Sequence, residues 1–146
     1  MDKIRIGIIG AGNNTVVMHI PKLMEIPGVE IIGVCNRSKE SSQRVAEKFK
    51  IPKTYNLWTE VVEDPDVDAV VIGTWPYLHC QATVAALEAD KHVLCEARMA
   101  MSAWEAHEML EASQRAPHLT AQIVPAPFTL RVDKMIQKLI AEGYLG

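Results

Sequence analysis

The 146-residue chain lacks the features on which several function classes depend. It has no apolar run approaching the roughly 18 residues that span a bilayer, so no membrane segment is expected. Its start, with Asp2 and Lys3, has no apolar signal-peptide core, which favours a cytoplasmic protein. The net charge is only −3, so there is no electrostatic footprint for nucleic acid. The three cysteines, Cys35, Cys80 and Cys95, form no Cys-x-x-Cys pair, and an odd, scattered set reads as reduced thiols. His19, His79, His92, His107 and His118 show no metal-ligand spacing, so no metal is expected. There is no Gly-x-Ser-x-Gly elbow, no internal repeat and no low-complexity segment. The chain is 49% hydrophobic, and its length suits one domain with a sizeable core.

The most informative stretch is Ile4-Arg5-Ile6-Gly7-Ile8-Ile9-Gly10-Ala11-Gly12. A β-branched apolar run of this kind fits the central strand of a parallel sheet, buried on both faces. Gly10 permits a tight turn, and Gly12 lets a pyrophosphate approach the backbone. The following helix points its free N–H groups and positive dipole end at that phosphate. In a Gly-x-Gly-x-x-Gly fingerprint the third glycine lets the helix pack close to the strand; here that position is Thr15. The bulk of Thr15 predicts a longer turn and a later helix start. An ordinary strand–turn–helix junction that binds nothing is the alternative.

Strand and helix patterns alternate at βαβ spacing along the rest of the chain. Strands are expected over 3–9, 29–35, 53–55, 67–73, 92–96 and 119–124. Helices are expected over 15–25, 39–49, 79–89 and 132–142. Ser38 caps the second helix, and Thr59 is placed as the cap of a single turn ending at Asp64-Pro65-Asp66. Ser102-Ala103-Trp104-Glu105 is a capping box, so a helix runs from there to about Arg115. Right-handed crossovers then give a doubly wound α/β fold, a mostly parallel six-stranded Rossmann sheet in the order 3-2-1-4-5-6. Residues 1–146 form this one domain. Ligands bind such a sheet at the carboxyl ends of its strands, near the switch between strands 1 and 4.

The candidate binding residues are those just beyond the strands. Gly10, Gly12, Asn13, Asn14 and Thr15 follow the first. Asn36, Arg37 and Ser38 follow the second, where an NAD site ordinarily carries an acid for the ribose hydroxyls. Asn36 can bond a hydroxyl. Arg37 and Ser38 fit a 2′-phosphate, Arg37 through a charge-assisted fork, which favours NADP over NAD. Either residue could equally be a surface charge or a cap alone. Thr74, Trp75 and Pro76 follow the fourth strand, with Tyr77 as a further candidate wall; both aromatics could instead cover a domain or subunit contact. His79 opens the next helix, where a histidine more often packs or caps than catalyses. Glu96 follows the fifth strand.

The ordered set of these segments resembles the N-terminal domain of the Gfo/Idh/MocA oxidoreductases (glucose–fructose oxidoreductase, inositol dehydrogenase and relatives). The resemblance is carried by Ile6 to Gly12, His19-Ile20-Pro21, Pro27-Gly28-Val29-Glu30 and Asp66 to Ile72. It continues through Pro76 to His79, Ala86-Leu87, Lys91 to Glu96, and the tail Leu139 to Gly146. It implies a nicotinamide dinucleotide and hydride transfer at a hydroxyl-bearing carbon, commonly of a sugar or cyclitol. The family's Glu-Lys-Pro is here Glu96-Ala97-Arg98. The resemblance places the lysine near the nicotinamide and the substrate oxygen, where a cation assists proton transfer. Alanine cannot, and Arg98 could replace it only if the backbone turns after Glu96. No catalytic residue is therefore assigned.

The resemblance also implies a second domain, which closes the substrate pocket and builds the oligomer interface, beyond the 146 residues. A small polyol substrate is expected only with that domain, and the chain alone is expected to turn over little or nothing. The face meant for it would expose apolar side chains such as Trp75, Tyr77, Phe128 and Leu130, so self-association is expected. Two other readings stay open: a non-catalytic nucleotide-binding or interaction module, and a Rossmann-like methyltransferase, which Asn36 disfavours because that site prefers an acid.

Overall fold

The computed structural model describes residues 3–125 and 132–144. In chain order these hold β1 (Ile4–Ile9), α1 (Ile20–Met24), β2 (Val29–Cys35), α2 (Lys39–Phe49), β3 (Lys53–Thr54) and α3 (Trp58–Glu63). They continue with β4 (Ala69–Ile72), α4 (His79–Glu88), β5 (His92–Cys95), α5 (Ala103–Arg115), β6 (Ala121–Ile123) and α6 (Asp133–Ala141). The six strands form one sheet in the order β3-β2-β1-β4-β5-β6, and every pairing is parallel. This is the doubly wound architecture expected from the sequence. Phe128 and Leu130, expected on an exposed face, and the tail residues Leu145 and Gly146 lie outside the described residues.

The central strands are apolar throughout because helices cover both faces of the sheet. Successive side chains point to opposite faces, so Ile8 and Ile9 enter different cores. Ile8 packs with Ile20, Val34, Val45 and Ala46 beneath α1 and α2. Ile9 packs with Val61, Ile72, Ala82, Ala86 and Met109 beneath α3, α4 and α5. Each fully buried side chain of this size contributes roughly 1.5–3 kcal/mol.

The helix starts follow their caps, with two corrections. Ser38 Oγ accepts from Ser41 N–H at 3.3 Å, and Ser102 Oγ accepts from Glu105 N–H at 3.2 Å, as expected. Thr59 does not cap α3, because it already lies inside that helix. The Glu60 carboxylate instead accepts from the N–H groups of Asn56 and Leu57, at 2.8 and 3.2 Å. Helical backbone after β1 begins directly at Asn13, so Thr15 does not delay it. A π-type turn, Thr15–His19, leads into α1.

Thr15 fits because the space the missing glycine would have supplied comes from the neighbouring strand. Thr15 is 1% exposed, and its hydroxyl donates to Gly10 O at 3.2 Å. The Thr15 Oγ1 lies where a Cβ on Gly73 would be, just past β4. The small residue needed for close packing has moved from the helix to the strand end.

Asp64 stops α3 and accepts from Lys53 Nζ at 2.8 Å, Tyr55 OH at 2.6 Å and Asp66 N–H at 2.8 Å. Burial raises its pKa, but these hydrogen bonds more than reverse that and hold it at about 2.

Candidate functional site

Four strands end level with one another. Cys35 is in register with Ile9, Ile9 with Ile72, and Ile72 with Cys95. The ladder continues one step into the loops. Gly10 N–H donates to Cys35 O at 2.8 Å, Gly73 N–H to Ile9 O at 2.8 Å, and Glu96 N–H to Ile72 O at 2.9 Å. The loops opening at Gly10, Asn36, Gly73 and Glu96 therefore share one edge of the sheet. This gathers the candidate residues from four separate stretches of sequence.

Gly10 and Gly12 differ in what requires them. Gly10 has φ +84°, and a Cβ there would lie 2.7 Å from Thr74 N, so the fold itself demands glycine. A Cβ on Gly12 would meet only Gly73 O, at 4.0 Å. Among the described residues nothing else comes within 4 Å of that position. The first backbone bond of the following helix is Val16 N–H to Gly12 O, at 2.9 Å. The amides of Asn13, Asn14 and Thr15 lie ahead of it, at the end that attracts anions.

Beside this turn is a cleft of about 420 Å³, floored by Gly10, Ala11 and Gly12. Asn36, Arg37, Ser38, Ser41 and Arg44 form one wall, and Thr74, Trp75 and Tyr77 the other. A narrower apolar slot of about 240 Å³ continues from it between Leu57–Trp58 and Tyr77–Leu78. Trp75 and Tyr77 are 73% and 61% exposed, as the sequence anticipates. Among the described residues, Arg37, Arg44 and Arg98 take part in no ion pair. Two of these arginines, Arg37 and Arg44, line the cleft of this mildly acidic chain.

The other candidates are placed as follows. Asn36 is tied up locally: its Oδ1 accepts from Ala11 N–H at 2.6 Å, and its Nδ2 donates to Ser41 Oγ at 3.0 Å. It braces the glycine turn against α2. Pro76 lies beyond the cleft, in a neighbouring groove with Arg37, Trp75, Tyr77, Arg98 and Met101. The backbone bends after Glu96, and that bend sends the Arg98 side chain to this groove.

His79 does not line the cleft, contrary to its selection as a cofactor contact. It is 0% exposed, with Nδ1 2.9 Å from Arg98 O and Nε2 3.0 Å from Thr74 O. It is a strut between the loops after β4 and β5. Thr15 is too deeply buried to present its side chain to a ligand. Asn13 is exposed.

Glu96 reaches the turn between β1 and α1. Its Oε2 accepts from Ala97 N–H at 2.9 Å, and its Oε1 is met by Asn14 Nδ2 and His19 Nε2. Burial raises the Glu96 pKa, but the His19, Ala97 and Asn14 bonds outweigh this and hold it below the ordinary value. Burial pushes the Cys35, Cys80 and Cys95 thiols up to about 11, so none is a thiolate at neutral pH. Among the described residues no group of three His, Cys, Asp or Glu could hold a metal. No helix there is long and apolar enough to cross a membrane.

Sequence reading missed Ser41, Arg44, Leu57, Trp58 and His19. For Ser41 and Arg44 a signal existed: they follow Ser38 at steps of three along a capped helix, which places them on its cleft-facing side. For Leu57 and Trp58, beyond the short β3, no motif marked them.

The oxidoreductase family with an NAD-binding Rossmann fold, GFO_IDH_MocA, matches residues 4–122. Inositol 2-dehydrogenase of Salmonella typhimurium is 32% identical over 146 residues, covering 97% of this chain and 41% of that protein. 1,5-Anhydro-D-fructose reductase of Ensifer adhaerens is 37% identical over 122 residues, covering 82% of this chain and 35% of that protein. Among solved structures, a mutant of KijD10, a 3-ketoreductase from Actinomadura kijaniata, in complex with TDP-benzene and NADP, aligns with a TM-score of 0.78. It is 25% identical and covers 99% of this chain and 46% of that one. Myo-inositol 2-dehydrogenase from Lactobacillus plantarum, at 20% identity, shares the fold with a TM-score of 0.78, over 99% of this chain and 43% of that one. The chain thus spans about two fifths of the length of curated relatives it matches.

Proposed function

The chain belongs to the Gfo/Idh/MocA family of NAD-binding Rossmann oxidoreductases, and from that premise we propose that it binds NADP in preference to NAD. In the whole protein it serves hydride transfer at a hydroxyl-bearing carbon of a sugar or cyclitol. The observation that carries the binding site is the contrast between the two glycines of the turn. Gly10 is required by the fold, whereas a Cβ on Gly12 would meet only Gly73 O among the described residues. In this reading the pyrophosphate lies over Gly10 and Gly12 against the amides of Asn13, Asn14 and Thr15.

Arg37 and Arg44 take the 2′-phosphate, with the hydroxyls of Ser38 and Ser41 beside them. The slot lined by Leu57, Trp58, Tyr77 and Leu78 takes the adenine. The nicotinamide half lies toward Thr74, Trp75, Pro76 and Glu96. A bound nicotinamide would supply the hydride-accepting carbon, and the chain's own part is to hold and orient it. The NADP held by the KijD10 mutant supports the preference.

Gly12→Val tests the site. Among the described residues only Gly73 O stands near its added Cβ, at 4.0 Å, so the thermal midpoint should stay near the wild-type value while dinucleotide binding is lost. Retained binding would place the dinucleotide elsewhere.

Ala97 favours a second reading, a module that binds the dinucleotide without supporting turnover. Ala97→Lys in the whole protein separates the two. A large gain in turnover identifies a site disabled at this position, and no gain identifies Glu96-Ala97-Arg98 as a working arrangement.

A further inference from the structure

Asn14 and His19 are five residues apart, yet their side chains converge on one oxygen of Glu96. In an α-helix five residues turn the chain by about 500°, which leaves two side chains about 140° apart on the cylinder. The π-type turn at Thr15–His19 narrows that offset, because its wider winding brings residues i and i+5 closer to one face. The irregular turn is thus what assembles this cluster. Its members come from the phosphate-facing turn after β1 and from the end of β5, 77 residues apart for His19 and Glu96.

The chemistry of the cluster is one-sided. An ionised carboxylate only accepts, so His19 carries its proton on Nε2 and Asn14 presents its amide N–H₂. The Asn14 Nδ2 and His19 Nε2 atoms, 3.4 Å apart, are two donors aimed at Oε1 rather than partners of each other. The Ala97 N–H holds Oε2. The side chains of His19 and Glu96 are 17% and 15% exposed, so the pair is sheltered but open on one side. Oε1 already accepts two hydrogen bonds, whereas Oε2 accepts one and keeps a lone pair unused.

We propose that His19 is a positioning residue. With Asn14 it fixes the Glu96 carboxylate through Oε1, so that the remaining lone pair of Oε2 receives a hydroxyl of the nicotinamide-side ribose. The cluster also ties the phosphate-binding turn to the end of β5, setting the spacing between the pyrophosphate and nicotinamide ends of the cleft. This rests on the dinucleotide-binding reading above. It assigns His19 no proton transfer to substrate; it acts through Glu96.

The test is calorimetric titration of the chain with NADPH and with adenosine 2′,5′-bisphosphate, which carries the adenosine half and the 2′-phosphate only. His19→Ala should weaken NADPH binding about tenfold or more, the loss expected for a hydrogen bond to a charged group, and leave the bisphosphate within about twofold. His19→Gln, whose amide N–H₂ can reach Oε1, should restore most of the NADPH affinity. Glu96→Gln should resemble His19→Ala. Thermal melts establish that each variant is folded; if His19→Ala is not, folded His19→Gln with weak NADPH binding overturns the proposal. So does His19→Ala with unchanged NADPH binding, or with equal losses for both probes. Wild-type protein that is folded and binds neither probe would instead remove the dinucleotide reading itself.

Discussion

Thr15 and Gly73 are complementary in shape: the Thr15 hydroxyl occupies the position that a Cβ on Gly73 would need. The pair joins the first helical turn to the end of β4, beside the glycines that floor the cleft. Gly73→Ala should destabilise the chain by about 1–3 kcal/mol, as overpacking does. Thr15→Ala in the same chain should recover part of that loss, giving a coupling of at least about 0.5 kcal/mol in urea unfolding. Recovery should be incomplete, because the added methyl also approaches Gly10 O at 2.6 Å. Strictly additive effects would mean that the two residues do not share this space.

Arg37 and Arg44 should discriminate between the two dinucleotides. Loss of either charge should weaken NADPH binding about tenfold or more and leave NADH within about twofold, since only NADPH carries the 2′-phosphate. The NADPH affinity should also fall more steeply with added salt than the NADH affinity. Equal losses for both ligands would place these arginines elsewhere along the dinucleotide.

Asn36→Asp should invert the preference. It introduces a negative charge beside the expected phosphate while its Oδ1 can still accept the Ala11 N–H. NADPH binding should weaken, and NADH should gain the ribose partner that an acid supplies at this position. Unchanged selectivity would show that the 2′ position lies away from Asn36.

Asp64 makes stability depend on acid. Its folded pKa of about 2 lies below the ordinary 3.8. The carboxylate's contribution is therefore complete above the unfolded value and is lost as the pH falls through the folded one. Unfolding midpoints in urea should decline as the pH drops from about 4 toward 2, and Asp64→Asn should flatten that part of the curve at the expense of stability at neutral pH. A midpoint independent of pH over this window would show that Lys53 and Tyr55 do not hold Asp64 in its ionised form.

The fold was legible because its signals are local and repeat: buried apolar runs, a capping serine before α2 and α5, and glycine directly after β1. The strand order followed from handed crossovers. The Thr15–Gly73 exchange was not legible, because it joins residues 58 positions apart through space that only the packed sheet defines. The same holds for His19 and Glu96, whose meeting needs both an irregular turn and two strands ending level. His79 looked like a cleft residue from its place after β4, yet the opening turns of α4 bury it between two loops. Asn36 follows β2 and lines the cleft as its position suggested, but its amide has nearer partners in Ala11 and Ser41. Arg44 sat nearly two helical turns beyond the residues that a strand-end search inspects.

Titration of the purified chain with NADPH and NADH by calorimetry is the most direct measurement of the central claim. One molecule of NADPH per chain, bound more tightly than NADH, is the predicted result. A chain that melts cooperatively and binds neither dinucleotide, or that binds NADH more tightly, would contradict it.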